Sequence, residues 1–241
     1  MTDDKSAEAS IRSRVRARCR GGDSQDIARQ LRELGHSPAA LPHHADPRIG
    51  FLANVLNNHG DILGAADRSA AVACIGEYTA DRHGRRKVVA GKDPRLAALP
   101  WREGGVLPRF GLIENGDSVG VSYARRAIAE TGSIILESGR DNPVSNSLLP
   151  EDHIVLVDST DVVARLDDAW PGAGCGQERR GPRCLQIISG PSSTADIALN
   201  MVYGAHGPGS WLVILIGSDA PAFAGAAARL SKIRAQATVR S

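Results

Sequence analysis

Hydrophobic residues in the second half of the chain fall into short runs separated by polar stretches. Three of these runs, Ile154–Val157, Leu185–Ile188 and Leu212–Ile216, have the length of a strand and are apolar on both faces. Strands of this kind are typical of a sheet that is covered by helices on both sides. The pattern therefore predicts three buried strands, and Ser133–Glu137 predicts a further strand upstream.

The segments between these runs predict helices and one loop. Asp161–Trp170 and Ser193–Val202 are the two predicted helices. Residues 171–182 are rich in glycine and proline and include two adjacent arginines, which predicts an exposed loop.

Helices and strands are also predicted to alternate in the first half. Phe51–Leu56 predicts a helix, Ile62–Leu63 is a short apolar run, Ala70–Tyr78 predicts a second helix, and Lys87–Ala90 predicts a strand. This alternation favours an α/β fold with a mostly parallel sheet flanked by helices. We expect one such domain over residues 46–241, because a chain of 241 residues with 42% hydrophobic residues can bury a full core.

Residues 1–45 predict an N-terminal helical extension that ends in a proline-containing turn region. Arginines alternate from Arg12 to Arg20, and a narrow apolar stripe recurs every fourth residue from Ala7 to Cys19. This spacing predicts a docking helix with a solvated basic surface, with nucleic-acid binding as the weaker alternative. The arginines are Arg12, Arg14, Arg16, Arg18 and Arg20, and the stripe is Ala7, Ile11, Val15 and Cys19.

Charge and cysteine content argue against two classes of function, nucleic-acid binding and the binding of a metal or iron–sulfur cluster. Lys and Arg number 29 against 27 Asp and Glu, so the chain lacks the excess of positive charge typical of nucleic-acid-binding domains. Its four cysteines, Cys19, Cys74, Cys175 and Cys184, form no C-x-x-C pair, so we expect no metal, no iron–sulfur cluster and no other cofactor in this chain. The longest apolar run, Trp211–Ile216, is too short to span a bilayer, and we expect a cytoplasmic protein.

Four segments, in this order, resemble the LUD-domain family of the lactate-utilization protein C type. They are Ala-Ile-Ala-Glu-Thr-Gly-Ser at 127–133, Ser-Leu-Leu-Pro at 147–150 followed by His-Ile-Val at 153–155, Ser-Gly-Pro-Ser-Ser-Thr-Ala-Asp-Ile at 189–197, and Gly-Ala-His-Gly-Pro at 204–208. The resemblance implies a fold similar to the NagB/RpiA/CoA-transferase superfamily. It also implies a role in bacterial oxidation of L-lactate to pyruvate, beside partner subunits that carry iron–sulfur clusters.

The segment at 187–196 is the strongest candidate for a ligand site. A predicted strand passes through a tight turn into a predicted helix, so free backbone N–H groups and the positive end of a helix dipole would meet a carboxylate or a phosphate. The alternative is helix capping by Ser193 and Asp196 without any ligand. The predicted ligand-binding residues are Ser189, Gly190, Ser192, Ser193, Thr194 and Asp196.

Four further residues are candidates for chemistry. Glu130, between small and apolar neighbours, could act as an acid, a base or a nucleophile, or else be a structural carboxylate bonded to the backbone or to a nearby arginine. Arg140 follows the Ser133–Glu137 strand and could bind the carboxylate of a small 2-hydroxy or 2-oxo acid, or else pair with Asp141 or another surface acid. His206 and His153 could carry protons, but each precedes a predicted strand, where a structural role is the more common one.

Two function hypotheses follow. The first is a component of an L-lactate utilization system that has no cluster of its own and that binds a small anion or docks to iron–sulfur subunits. The alternative is a free-standing enzyme that processes acyl or phosphosugar substrates through Glu130 on a CoA-transferase-like scaffold.

Overall fold

The structure, a computed structural model, describes residues 10–15, 17, 24–33, 44–169, 182, 184–195 and 201–239. The chain divides into two compact units, residues 1–40 and 41–241, while the predicted boundary between residues 45 and 46 stays a prediction. In the first unit residues 10–15 are helical and α1 covers Ser24–Glu33. Ile11 and Val15 of the predicted stripe are exposed, and Ala7, Arg16, Arg18, Cys19 and Arg20 lie outside the described residues.

The second unit is built on a six-stranded sheet in the order β1-β12-β7-β4-β2-β3. All five pairs of neighbouring strands are parallel. The predicted α/β fold with a mostly parallel sheet is therefore confirmed. The strands are β1 (Asp61–Ala65), β2 (Lys87–Ala90), β3 (Leu107–Phe110), β4 (Val119–Tyr123), β7 (Asp152–Asp158) and β12 (Ser210–Ile216).

Helices cover both faces of this sheet. On β7, Ile154 and Leu156 pack into one hydrophobic cluster, whereas Val155 and Val157 pack into the other, as the alternation of side chains along a strand requires. The first cluster is covered by α3 (Arg68–His83), and the second by α2 (Pro47–Asn57) and α7 (Ala220–Val239). The predicted helices at 51–56 and 70–78 lie within α2 and α3. Two shorter helices, α4 (Pro94–Ala97) and α5 (Ser145–Leu148), follow β2 and precede β7.

A second, four-stranded sheet has the order β8-β5-β6-β9. Its strands are β5 (Arg126–Ile128), β6 (Ser133–Glu137), β8 (Val162–Val163) and β9 (Leu185–Ile188). β6 is antiparallel to both β5 and β9. The prediction that Leu185–Ile188 is a buried strand is wrong in its burial, because β9 is an edge strand and Ile187 is 46% exposed.

The structure also corrects both predicted helices of the second half. Within 161–170, Asp161 ends a 3-10 turn, Val162–Val163 is β8, and α6 covers only Leu166–Ala169. Within 193–202, Ser193–Ala195 forms β10, which pairs antiparallel with β11 (Met201–Tyr203). Trp170, Asp196 and nearly all of the predicted loop at 171–182 lie outside the described residues.

No helix in the described part of the chain is long and apolar enough to cross a membrane. In the same part, no group of three or more His, Cys, Asp or Glu side chains is arranged to hold a metal ion.

Candidate functional site

The connections of the main sheet reverse direction between two neighbouring strands. From β2 the chain continues outward to β3, whereas from β4 it continues toward β7 on the other side. In an open parallel sheet, a crevice forms at the carboxyl ends of such a pair of strands, and ligands commonly bind there. A cavity of about 520 Å³ lies at this place, lined by Asp93–Arg95 after β2 and by Tyr123, Arg125 and Arg126 at the end of β4. We call it the carboxyl-edge cleft.

Arg95 is held in a fixed orientation at this cleft. Its Nη2 lies 2.9 Å from Oδ2 of Asp93, and its Nη1 donates to the backbone carbonyl of Ala124 at 3.0 Å. Its guanidinium also stacks on the Tyr123 ring at 4.3 Å. Asp93 in turn caps α4, since its side chain accepts a hydrogen bond from the Arg95 N–H. Arg95 thus links the end of β2 to the end of β4.

Tyr123 donates its hydroxyl proton to Asp158 at the end of β7, at 2.8 Å. Burial of the phenol, together with the hydrogen bond to the Asp158 carboxylate, raises the pKa of Tyr123 above its usual value. The phenol therefore stays protonated at neutral pH and ties β4 to β7.

Among the residues that the structure describes, only one of the four arginines in the cleft has no acidic partner. Arg125 pairs with Glu137 at 3.3 Å, Arg126 pairs with Asp161, and Arg95 pairs with Asp93. Arg140 is exposed and makes no ion pair with any residue in the described part of the chain. The pairing of Arg140 with Asp141 considered above is not observed.

The turn that carries Arg140 is anchored on both sides. The Asp141 carbonyl accepts a hydrogen bond from the Lys92 N–H just after β2, at 2.6 Å. The Asn142 side chain donates to the Glu137 carbonyl at 2.7 Å. These hydrogen bonds hold the backbone of the turn in place, so the Arg140 guanidinium has a defined position at the cleft. As the sequence predicted, Arg140 follows the strand Ser133–Glu137.

The segment at 187–196, predicted to bind a ligand, has its described residues at the amino ends of the main-sheet strands, the edge opposite to the carboxyl-edge cleft. β9 runs antiparallel to β6 and delivers Gly190 to the end of α2, where an added Cβ would lie 2.5 Å from the Asn58 carbonyl oxygen. The Ser192 N–H donates to the Pro208 carbonyl at 2.8 Å, just before β12. Arg140 and Ser192 thus do not share a cleft.

No helix begins within the described residues 187–195, so no helix dipole supports the predicted anion site there. Ser193 and Thr194 belong to β10, and Asp196 lies outside the described residues. The Ser189 hydroxyl forms a short hydrogen bond with Ser133, and Ser192 also accepts a hydrogen bond from the Gly204 N–H. Ligand binding by these residues stays a prediction, without the helix on which it was based.

Glu130 lies in the turn between β5 and β6, and its carboxylate is engaged by the backbone. Oε1 accepts a hydrogen bond from the Leu166 N–H at 2.7 Å, and the Glu130 N–H donates to the Ala164 carbonyl. Glu130 therefore caps α6, so the geometry agrees with the structural interpretation. A catalytic role stays a prediction.

The two histidines differ in their surroundings. His206 is exposed in the loop that precedes β12. His153 is fully buried in β7 and shares a hydrogen bond of 3.0 Å with the Ser122 hydroxyl, and burial lowers its pKa to about 3. His153 is therefore a neutral core residue at physiological pH.

Comparisons with known proteins find similarity to one family over part of the chain. Residues 117–216 match the family model of the LUD domain. This segment of the chain is similar to the LUD domain. A lactate utilization protein C from Shouchella clausii is 32% identical over 144 residues, which are 55% of this chain and 63% of that protein. The protein of the same name from Bacillus subtilis is 34% identical over 101 residues, 41% of this chain and 42% of the relative.

Two further comparisons extend this result. The uncharacterized protein YkgG of Escherichia coli is 38% identical over 102 residues, which are 41% of this chain and 43% of YkgG. The matched segment thus spans less than two thirds of the length of these curated relatives. A crystal structure of a DUF162 family protein from Deinococcus radiodurans has a TM-score of 0.52 at 22% identity, over 72% of this chain and 98% of that one. It shows a shared fold. The predicted resemblance to the LUD family is confirmed by the match to the family model.

The carboxyl-edge cleft combines residues from inside and outside the segment that matches the LUD model. Arg125, Arg126 and Arg140 lie within the matched segment, whereas Asp93 and Arg95 precede it. Sequence reasoning missed Asp93 and Arg95. Their signal was the Asp-Pro-Arg triplet, a helix-start pattern directly after a predicted strand.

Proposed function

We propose that this chain is a component of lactate utilization without an iron–sulfur cluster of its own, and that Arg140 binds the carboxylate of a small monocarboxylic acid in the carboxyl-edge cleft. The role in lactate utilization is supported by the similarity to proteins named lactate utilization protein C. The identity of the ligand is supported by the single arginine without an acidic partner among the described residues of the cleft.

The charges of the cleft favour a monoanion. Three guanidinium groups are paired with Asp93, Glu137 and Asp161, so Arg140 is the guanidinium left to bind a ligand among the described residues, and the neighbouring carboxylate of Asp141, which also lines the cleft, disfavours a second negative charge on that ligand. A guanidinium binds a carboxylate through two parallel hydrogen bonds, which also fix the orientation of the acid. A 2-hydroxy or 2-oxo acid such as lactate or pyruvate carries one such carboxylate. Iron–sulfur subunits would then be the partners that accept the electrons.

Growth tests the role in lactate utilization. Deleting the gene should abolish growth on L-lactate, and the intact gene should restore it. The Arg140→Gln variant should restore growth poorly at limiting lactate, whereas Arg102→Gln, an exposed arginine outside the cleft, should restore it fully. Unimpaired growth of the deletion strain, in a host with no other lactate oxidase, would contradict the role.

Calorimetry tests the site. L-lactate and pyruvate should bind the intact chain, and Arg140→Gln should weaken binding by about tenfold or more, because a hydrogen bond to a charged group contributes about 1.5–3 kcal/mol. Arg102→Gln should bind as the intact chain does. Equal affinity in the Arg140→Gln variant would place the ligand elsewhere.

A further inference from the structure

A run of basic residues at the end of α3 has no part in the carboxyl-edge cleft. Residues 82–87 read Arg-His-Gly-Arg-Arg-Lys. Basic side chains in the last turn of a helix are favoured by the helix dipole, and Arg82 and His83 fit this explanation. Both also bind the buried Asp152, since Arg82 Nε and His83 Nε2 lie 2.7 and 2.9 Å from its Oδ2. The dipole and Asp152 thus account for these two residues but not for the rest of the run.

Arg85 and Lys87 line a separate cavity of about 350 Å³. It lies at the amino ends of β4, β2 and β3, at the sheet edge opposite to the carboxyl-edge cleft. Its lining is both polar and apolar, with His83 and Ser118 among the polar residues. The apolar residues are Val88, Val89, Leu107, Pro108 and Val119. We call it the amino-edge cavity.

Two positive charges in the amino-edge cavity are uncompensated. Arg109 pairs with Asp117, and its Nη1 lies 3.5 Å from Glu114. Arg85 and Lys87 are exposed and form no ion pair with any residue of the described ranges. A concave surface with an excess of one charge attracts a ligand of the opposite charge.

The residue between them provides a matched comparison. The Arg86 side chain donates to the Gly104 carbonyl at 3.4 Å, and Arg86 is not part of the cavity lining. The three neighbours thus carry the same charge on the same segment, but only Arg85 and Lys87 face the cavity.

We propose that the amino-edge cavity binds a phosphate monoester, with the phosphate on Arg85 and Lys87 and the organic group against the apolar lining. Two uncompensated cations match a dianion rather than a single carboxylate, and a guanidinium and an ammonium are both strong donors to phosphate oxygens. A cavity lined by valine, leucine and proline side chains provides contacts for the ester group. This ligand class and this edge of the sheet both differ from those of the carboxyl-edge cleft.

The test is calorimetric titration of the full chain with phenyl phosphate at pH 8, where the phosphate is a dianion. Phenyl phosphate should bind more tightly than inorganic phosphate, because the ring adds apolar contact, and phenol should show no binding. Arg85→Gln and Lys87→Gln should each weaken binding by about tenfold. Arg86→Gln should change the affinity by less than about twofold, because its guanidinium binds the Gly104 carbonyl outside the cavity and its exposed charge is screened by salt.

Two results would overturn the proposal. One is the absence of saturable binding of phenyl phosphate. The other is equal weakening by Arg86→Gln and Arg85→Gln, which would show general attraction to a basic surface. Arg140→Gln should leave the binding of phenyl phosphate unchanged, so that failure of this proposal and failure of lactate binding are separate results.

Discussion

Glu130 distinguishes the two function classes, because the enzyme hypothesis needs its carboxylate for chemistry and the structure uses it as a hydrogen-bond acceptor. Oε1 accepts from the Leu166 N–H at 2.7 Å, at the first residue of α6, where backbone N–H groups have no partner within the helix. Replacing Glu130 by Ala removes this acceptor. Replacing it by Gln keeps a carbonyl oxygen in the same place and removes only the charge.

The expected magnitudes follow from this contact. Glu130→Ala should lower the free energy of unfolding by about 1–2 kcal/mol, the usual cost of losing a helix-capping side chain. In a chain of this size, that corresponds to a decrease in Tm of about 2–4 °C per kcal/mol. Glu130→Gln should lose less than about 0.5 kcal/mol, because the neutral acceptor still satisfies the N–H.

Urea denaturation measures the change in stability, and growth on L-lactate measures the change in function. If Glu130 is structural, the Gln variant supports growth as well as the intact chain does, and only the Ala variant is destabilised. The reasoning is refuted if the Gln variant is as stable as the intact chain but does not support growth. That result would assign the carboxylate a chemical role in lactate utilization.

Two further predictions concern the core. Burial lowers the pKa of His153 to about 3 in the folded chain, so as the pH falls the unfolded chain binds a proton before the folded chain does. The contribution of His153 to the free energy of unfolding should therefore be complete above about pH 6.5. Below that pH it should fall by up to about 1.4 kcal/mol per pH unit. His153→Gln, which keeps a partner for Ser122, should reduce this slope in urea titrations between pH 4 and 6, and an unchanged slope would contradict the assignment. Gly132 and Gly84 both have positive φ, but only at Gly132 would a Cβ meet backbone, 2.6 Å from the Asn54 carbonyl carbon. Gly132→Ala should therefore destabilise the chain by about 1–3 kcal/mol more than Gly84→Ala does, and equal losses would show that no overlap exists.

The strands of the main sheet were predictable because burial on both faces leaves a direct mark on the sequence. Ile154–Val157 and Leu212–Ile216 are continuous apolar runs because helices cover both sides of β7 and β12. Leu185–Ile188 has the same appearance but forms an edge strand. Its partner, β6, lies about 50 residues away in the sequence, so the pairing depends on tertiary contacts that a local pattern does not contain.

The error at 193–202 has a similar cause. Ser193 and Asp196 form a local capping pattern, and this pattern predicted a helix. In the structure Ser193–Ala195 instead pairs with Met201–Tyr203, so hydrogen bonds between strands satisfy the backbone. The local pattern and the hairpin compete for the same backbone groups, and the sequence alone does not give their relative energies.

Part of the carboxyl-edge cleft was predictable because it depends on local sequence rather than on tertiary contacts. Arg140 directly follows a predicted strand, so its position depended on local sequence alone. Arg95 and Tyr123 meet because β2 and β4 are neighbours in the sheet, although β3 separates them in the sequence. Strand order therefore had to be known before these two residues could be assigned to one site.

The two proposed sites are also far enough apart to be tested independently. β2 begins at Lys87, in the amino-edge cavity, and the chain reaches Asp93 of the carboxyl-edge cleft six residues later. At about 3.3 Å per residue, β2 alone spans about 10 Å from Lys87 to Ala90, more than the Debye length of about 8 Å at physiological ionic strength, and Asp93 lies beyond its end. Because salt screens charges at that distance, removing the charge of Arg140 changes the potential at Arg85 and Lys87 very little. A loss of phenyl phosphate binding in Arg140→Gln would therefore require a conformational link along β2 rather than an electrostatic one.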